Sequence, residues 1–220
     1  MIQAVVFDLD GILIDSEPVW EEVRRAYVSQ NGGRWQPDSQ SRLMGMSTSE
    51  WATYLSEELG VHKDPAEVAD EVIAEMRRRY EVDLPLMPGA VDAVYQIGDG
   101  YRRALASSSP RSLIDRVLET AALTQAFEVT ISTEEVARGK PDPDVYLAIA
   151  DRLRLAPEVC IAVEDSSNGL RSAAAAGMTV IAIPHPTYPP QPDALALADV
   201  TLDSLTELTM ERISMVPERD

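Results

Sequence analysis

At 220 residues and 24.1 kDa the chain is long for one minimal domain and short for two full ones, so one well-packed core with a smaller appendage is expected. Its formal charge of −18 argues against nucleic-acid recognition, which needs a basic footprint, and repels anionic substrates unless a cation sits in the site. The one cysteine, Cys160, excludes an internal disulfide framework and any CxxC zinc site.

In chain order, AVVFDL from Ala4 reads as a buried strand. It runs into DLDGILIDSE, which sets Asp8 and Asp10 directly after apolar residues and follows them with Gly11, Asp15 and Glu17. Carboxylates ending a buried strand are costly to desolvate unless something pairs with them. A metal or catalytic site and a solvated acidic turn are both open at this point. Asp8 also breaks the apolar run before it reaches bilayer length, and the N-terminus lacks the basic n-region of a signal peptide. A cytoplasmic location with no membrane partner is therefore expected.

Residues 16–84 read as helical, through EPVWEEVRRAYVSQNGG, TSEWATYLSEELG and PAEVADEVIAEMRRRYEV, with no strand between them. The run Arg77–Arg79 reads as a solvated helix face. Pro85 and Pro88 mark a return to alternation. There follow a helix over 88–98, the strand RALASS, the helix SLIDRVLETAAL with Ser112 as N-cap, and the strand VTIS. Next come the helix PDVYLAIADRLRL opened by Pro143, the strand VCIAVE with Cys160 as a core thiol, and the helix NGLRSAAAAG closed by Gly177. The strand TVIAIP, an extended proline-rich loop over 183–193 and the strand VTLDSL complete the chain. This alternation predicts an α/β fold: a Rossmann-like parallel sheet with helices on both faces, formed by 1–15 and 85–220, with a helical domain, 16–84, inserted after the first strand.

Polar residues cluster at the ends of three of these strands: Asp8 and Asp10; Ser107, Ser108 and Ser109; Glu164 and Asp165. Ligands of open α/β sheets bind outside the carboxyl ends of the strands. Lys140, in GKPDPD, precedes a proline and so favours extended backbone that projects into the cleft. It is one of only two lysines among nineteen basic residues, the other being Lys63. Four carboxylates converging with one lysine repel one another unless a cation joins them, and oxygen-only ligation points to Mg²⁺. Serine hydroxyls and backbone N–H groups near Ser107, with the charge of Lys140, suit phosphate oxygens. These are the parts of a phosphoryl-transfer site. An EF-hand is excluded, because its loop needs glycine at the sixth position. His62 and His185 lie near no nucleophile, which disfavours a serine–histidine–aspartate triad. Blander roles stay open: Ser107, Ser108 or Ser109 as a helix cap, Lys140 paired with Asp142 or Asp144, and Glu164 solvated.

FDLDGILIDSE, LASSS, GKPDPDVY and VEDSSNG, in this order, resemble the four motifs of the haloacid dehalogenase superfamily, in its subgroup with a helical cap after the first strand. That subgroup includes β-phosphoglucomutase and many sugar-phosphate phosphatases. The resemblance implies that Asp8 is the nucleophile and becomes an aspartyl phosphate, while Asp10 is its acid–base partner. It implies that Ser107, Ser108, Gly11 and Lys140 bind the transferring group. Mg²⁺ would be held by Asp8, Asp10 through its carbonyl, and Asp165, with Glu164 as ligand or support. Asn168 and Gly169 would shape the loop after the acidic pair, and Glu17, Trp20, Gly45, Ser109 and Arg111 would face substrate.

The resemblance further implies a small phosphate ester as the only partner of a monomer or weak dimer. Water as acceptor makes a phosphatase, a sugar hydroxyl a mutase. The mutase pattern has cations where this chain has Met44 and Thr48, and a histidine where it has Trp20. A bisphosphate intermediate needs such cations, so a phosphatase is expected, with a mutase second and Arg42 a possible compensation. A dehalogenase does not fit Asp10 and the acidic pair, and a phosphonatase needs a cap lysine where only Lys63 is present. A non-enzymatic phospho-aspartate switch is third, since it needs neither Asp10 nor a cap.

Overall fold

The computed structural model describes residues 1–44 and 46–216 and divides into two compact units, Met1–Asp15 with the chain from Pro85 onward, and Ser16–Leu84. All six predicted strands are present, as β1 (Ala4–Phe7), β2 (Arg102–Ser107), β3 (Val129–Ser132), β4 (Cys160–Glu164), β5 (Thr179–Ala182) and β6 (Val200–Thr201). They form one parallel sheet in the order β3-β2-β1-β4-β5-β6. Every residue of β1, β4 and β5 is buried, which is why these strands read as continuous apolar runs rather than alternating ones. The strand order reverses at β1, flanked by β2 on one side and β4 on the other, and the switch point lies between β1 and β4. Asp8 leaves the end of β1 hydrogen-bonded to Val163 O, and Glu164 ends β4, so both acidic motifs meet there.

In the sheet-bearing unit the helices α5 (Ala90–Gly98), α6 (Arg111–Thr120), α7 (Asp144–Leu153) and α8 (Ser167–Ala175) alternate with the strands. One expected boundary differs. α6 begins at Arg111 with Pro110 in the N-cap place, and Ser112 lies inside the first turn. The extended backbone of Pro110, φ −53° and ψ 142°, starts the helix two residues earlier than the Ser112 cap predicted. Cys160 is fully buried, as expected, and burial pushes its thiol up to about 11.

In the helical unit the expected segments appear as α1 (Glu17–Gln30), α3 (Thr48–Thr53), which continues as a wider turn over Tyr54–Glu58, and α4 (Pro65–Val82). A five-residue helix, α2 (Ser39–Leu43), is additional. α4 buries Val68, Val72, Met76 and Tyr80, one residue per turn, and leaves Arg77 and Arg78 outside. Trp20 packs on Trp51, with centroids 5.9 Å apart, and the Arg24 guanidinium lies 4.4 Å over the Trp20 ring.

The chain leaves and re-enters the sheet-bearing unit at adjacent points. Asp15 N–H donates to Pro85 O, Met87 N–H to Leu13 O, and Ile14 bridges Leu86. Among the described residues, no helix is long and apolar enough to cross a membrane.

Candidate active site

The ends of β1, β2 and β4, together with the loop before α7, bring Asp8, Asp10, Ser107, Ser109, Lys140, Glu164 and Asp165 together. Lys140 spends its three ammonium protons on Asp8 Oδ1 at 2.6 Å, Glu164 Oε1 at 2.6 Å and Ala106 O at 3.0 Å. Its side chain is 4% exposed. Asp142 and Asp144, the surface partners open to Lys140 from sequence, are held by Arg138 instead.

Glu164 is fully buried and its carboxylate is committed on both oxygens. Oε1 accepts from Lys140 and from the Tyr146 hydroxyl at 2.7 Å; Oε2 accepts from Asp165 N–H and Ser166 Oγ, each at 3.2 Å. Ser166 also caps α8 by accepting from Gly169 N–H, so this helix end and the Glu164 anion are built together.

Asp10 Oδ2 accepts from Ser109 Oγ at 2.8 Å and Ser107 Oγ at 3.2 Å, and Ser107 Oγ in turn accepts from Ser109 N–H. Asp10 Oδ1 is buried and has no partner among the described residues. A buried carboxylate oxygen left unpaired is costly unless a ligand completes it.

Asp8, Glu164 and Asp165 each place a carboxylate oxygen within 4.8 Å of the others. Burial pushes the Asp8 carboxyl up to about 8, opposed by Lys140 and reinforced by Glu164 and Asp10. Burial also drives Asp165 well above the usual carboxylate range, with Glu164 and Asp8 adding to it. Lys140 moves up despite burial, because Asp8 and Glu164 hold its charge. One ammonium does not offset the burial of these carboxylates, so Asp8 and Asp165 hold their protons more firmly than ordinary carboxyls. The all-oxygen donor set of Asp8, Glu164 and Asp165 fits a hard divalent cation.

Two glycines are required by close approach. A Cβ on Gly11, whose φ is +81°, would lie 2.0 Å from Asp165 Oδ2, and one on Gly169 would lie 1.9 Å from Glu164 Cδ. Glu164 is pinned on both oxygens and has nowhere to retreat. Gly169→Ala is therefore expected to cost roughly 1–3 kcal/mol of stability as an overpacking change, measured by urea unfolding, and to lower turnover by displacing Lys140.

Not every expected residue joins the cluster. The Gly11 N–H donates to Ile14 O, and the absence of a side chain at Gly11 leaves space for Asp165. Ser108 is exposed. The Arg111 guanidinium binds Glu135, Thr130 and Asp115, and so ties β3 to α6. In the helical unit Glu17 accepts from Gln40, Arg42 is held by Glu58 at 2.8 Å, and Gly45 lies outside the described residues. Asn168 occupies the first turn of α8. Tyr146 and Ser166 are the site residues that motif reading did not assign.

A family model for haloacid dehalogenase-like hydrolases matches residues 2–177, and the chain belongs to that family. Among curated relatives, hexitol phosphatase B of Escherichia coli (strain K12) is 36% identical over 214 residues, covering 94% of this chain and 95% of that protein. A phosphorylated carbohydrates phosphatase of Thermotoga maritima is 32% identical over 179 residues, covering 80% and 82%. Among solved structures, CbbY of Rhodobacter sphaeroides in complex with xylulose-(1,5)bisphosphate superimposes with a TM-score of 0.77 at 26% identity, covering 94% of this chain and 96% of that one.

Proposed function

We propose that the chain hydrolyses phosphate monoesters of small phosphorylated metabolites, sugar or polyol phosphates foremost, through an aspartyl phosphate on Asp8. The observation that carries this reading is the pairing of two carboxylates in one turn. Asp8 is held on Lys140, and Asp10, two residues on, presents one oxygen with no protein partner. The names of the relatives support the phosphate-ester class.

In this reading an Asp8 carboxylate oxygen attacks phosphorus while the ester P–O bond breaks, and Asp10 passes its proton to the departing alkoxide oxygen. Water then attacks the aspartyl phosphate as Asp10 takes its proton, releasing inorganic phosphate and restoring both carboxyl groups. Lys140 would exchange its bond to Ala106 O, and the Ser107 hydroxyl its bond to Asp10, for oxygens of the transferring group. Ser107 and Ser109, both donating to Asp10 Oδ2, leave Oδ1 as the oxygen turned to substrate. Asp8, the Asp10 carbonyl and Asp165 would hold Mg²⁺, which would supply positive charge against the phosphoryl oxygens. Glu164, already committed to protein donors, anchors Lys140 and lies outside that ligand set.

Water is favoured over a sugar hydroxyl as acceptor. Met44 and Thr48 offer no charge for a second phosphate group, and Arg42 is engaged by Glu58. The test is p-nitrophenyl phosphate hydrolysis with Mg²⁺ and with chelator, followed by a panel of sugar and hexitol phosphates read by phosphorus NMR. Magnesium-dependent release of inorganic phosphate is expected. An isomeric sugar phosphate without inorganic phosphate would make the chain a mutase, and one phosphorylation per chain without turnover would make it a switch.

A further inference from the structure

Tyr146 sits in the first turn of α7, fully buried on a face otherwise made of Val145, Ile149, Ala150 and Leu153. A buried phenol needs a polar partner, and this one donates to Glu164 Oε1, the oxygen that also receives Lys140. The Tyr146 ring centroid lies 5.2 Å from the Lys140 ammonium, within cation–π range. Lys140 and Tyr146 flank the cis-proline turn and helix start of one segment, so this short stretch supplies both donors to one carboxylate oxygen. The second oxygen is held by Ser166 and the Asp165 N–H. A buried carboxylate that accepts from fixed donors on both sides has one orientation, and the lysine paired with it inherits that orientation.

We propose that Tyr146 is a positioning residue of the site: its hydroxyl holds Glu164 toward Lys140, and thereby fixes the Lys140 ammonium on Asp8. The catalytic part of this inference rests on the phosphatase reading, whereas the geometry of Lys140 does not. Tyr146→Phe keeps the ring, the packing and the cation–π contact and removes only the hydroxyl.

The test compares wild type and Tyr146→Phe in two ways. The first readout is metal-free and independent of turnover: limited acylation followed by mass spectrometry, with Lys63, the other lysine of the chain, as internal reference. Lys140 acylation relative to Lys63 is expected to rise severalfold in the variant. The second is hydrolysis of p-nitrophenyl phosphate, where kcat is expected to fall about tenfold with KM changed less than twofold, the size expected for one hydrogen bond to a charged group. Unchanged Lys140 acylation overturns the proposal, and so does increased acylation with kcat within twofold of wild type. A lowered melting temperature with both readouts unmoved reduces Tyr146 to a packing residue. Absence of turnover in wild type would sink the phosphatase reading and leave the acylation readout to decide the placement of Lys140.

Discussion

Asp8→Asn is expected to reduce magnesium-dependent phosphate release by at least roughly 10³-fold, because an amide has no anionic oxygen with which to attack phosphorus. The substitution conserves shape, and the amide oxygen still accepts from Lys140, so the loss is chemical. A second measurement separates it from unfolding. With Asp8 pushed up to about 8 from an ordinary 3.8, the folded metal-free protein binds more protons than the unfolded chain between those values. Stability therefore falls as pH rises from about 4 to about 8, the reverse of the behaviour of a salt-bridged surface carboxylate. Asparagine removes one buried charge, so the variant in chelator should melt higher than wild type at pH 8 and show a shallower pH slope. Thermal scans at pH 5 and pH 8 check this. Wild-type turnover by the variant, or a lower melting temperature at pH 8, contradicts the assignment of Asp8.

Lys140→Met is expected to have the largest effect on stability. It leaves the Asp8 and Glu164 carboxylates without the one cation among the described residues that both touch. Removing one partner of a buried ion pair costs about 3–5 kcal/mol, which for a chain of this size lowers the melting temperature by roughly 10 °C. The deficit should be greatest in chelator near pH 8, where the carboxylates are most ionised, and should shrink toward pH 5. Saturating Mg²⁺ should recover stability, adding about 2.7 kcal/mol at a hundredfold excess over its dissociation constant. Activity should not recover, since the metal does not replace the donor that Lys140 offers the phosphoryl group. A variant that melts like wild type in chelator at pH 8 would show that Lys140 is not the counter-charge of this cluster.

The sheet was legible in the sequence because a parallel sheet covered on both faces writes its strands as short apolar runs, and VCIAVE and TVIAIP needed no other signal. α4 was legible from its apolar residue every fourth position. The start of α6 was not, because Ser112 and Pro110 both offer plausible starts and only the backbone of Pro110 decides between them. α2 is a single turn and a half, too short to show a period. Within the site, motif order identified Asp8, Asp10, Lys140 and the acidic pair, but not how their protons are shared. Arg111 looked available because sequence does not reveal that Glu135 and Thr130 receive it. Tyr146 left a faint trace, a hydroxyl on an otherwise apolar helix face, which becomes informative once its partner is known.

The paired crossings at Asp15 and Pro85 bear on how such a chain can change over time. The backbone bonds that join Leu13 to Met87 and Asp15 to Pro85 close the sheet-bearing unit on itself whatever lies between them in sequence. The entropic cost of the intervening segment grows only with the logarithm of its length. A segment of another length in place of residues 16–84 is therefore expected to leave the register of β1 against its neighbours undisturbed. A lineage can in this way explore new molecules to act upon while the carboxylates and the lysine stay where they are.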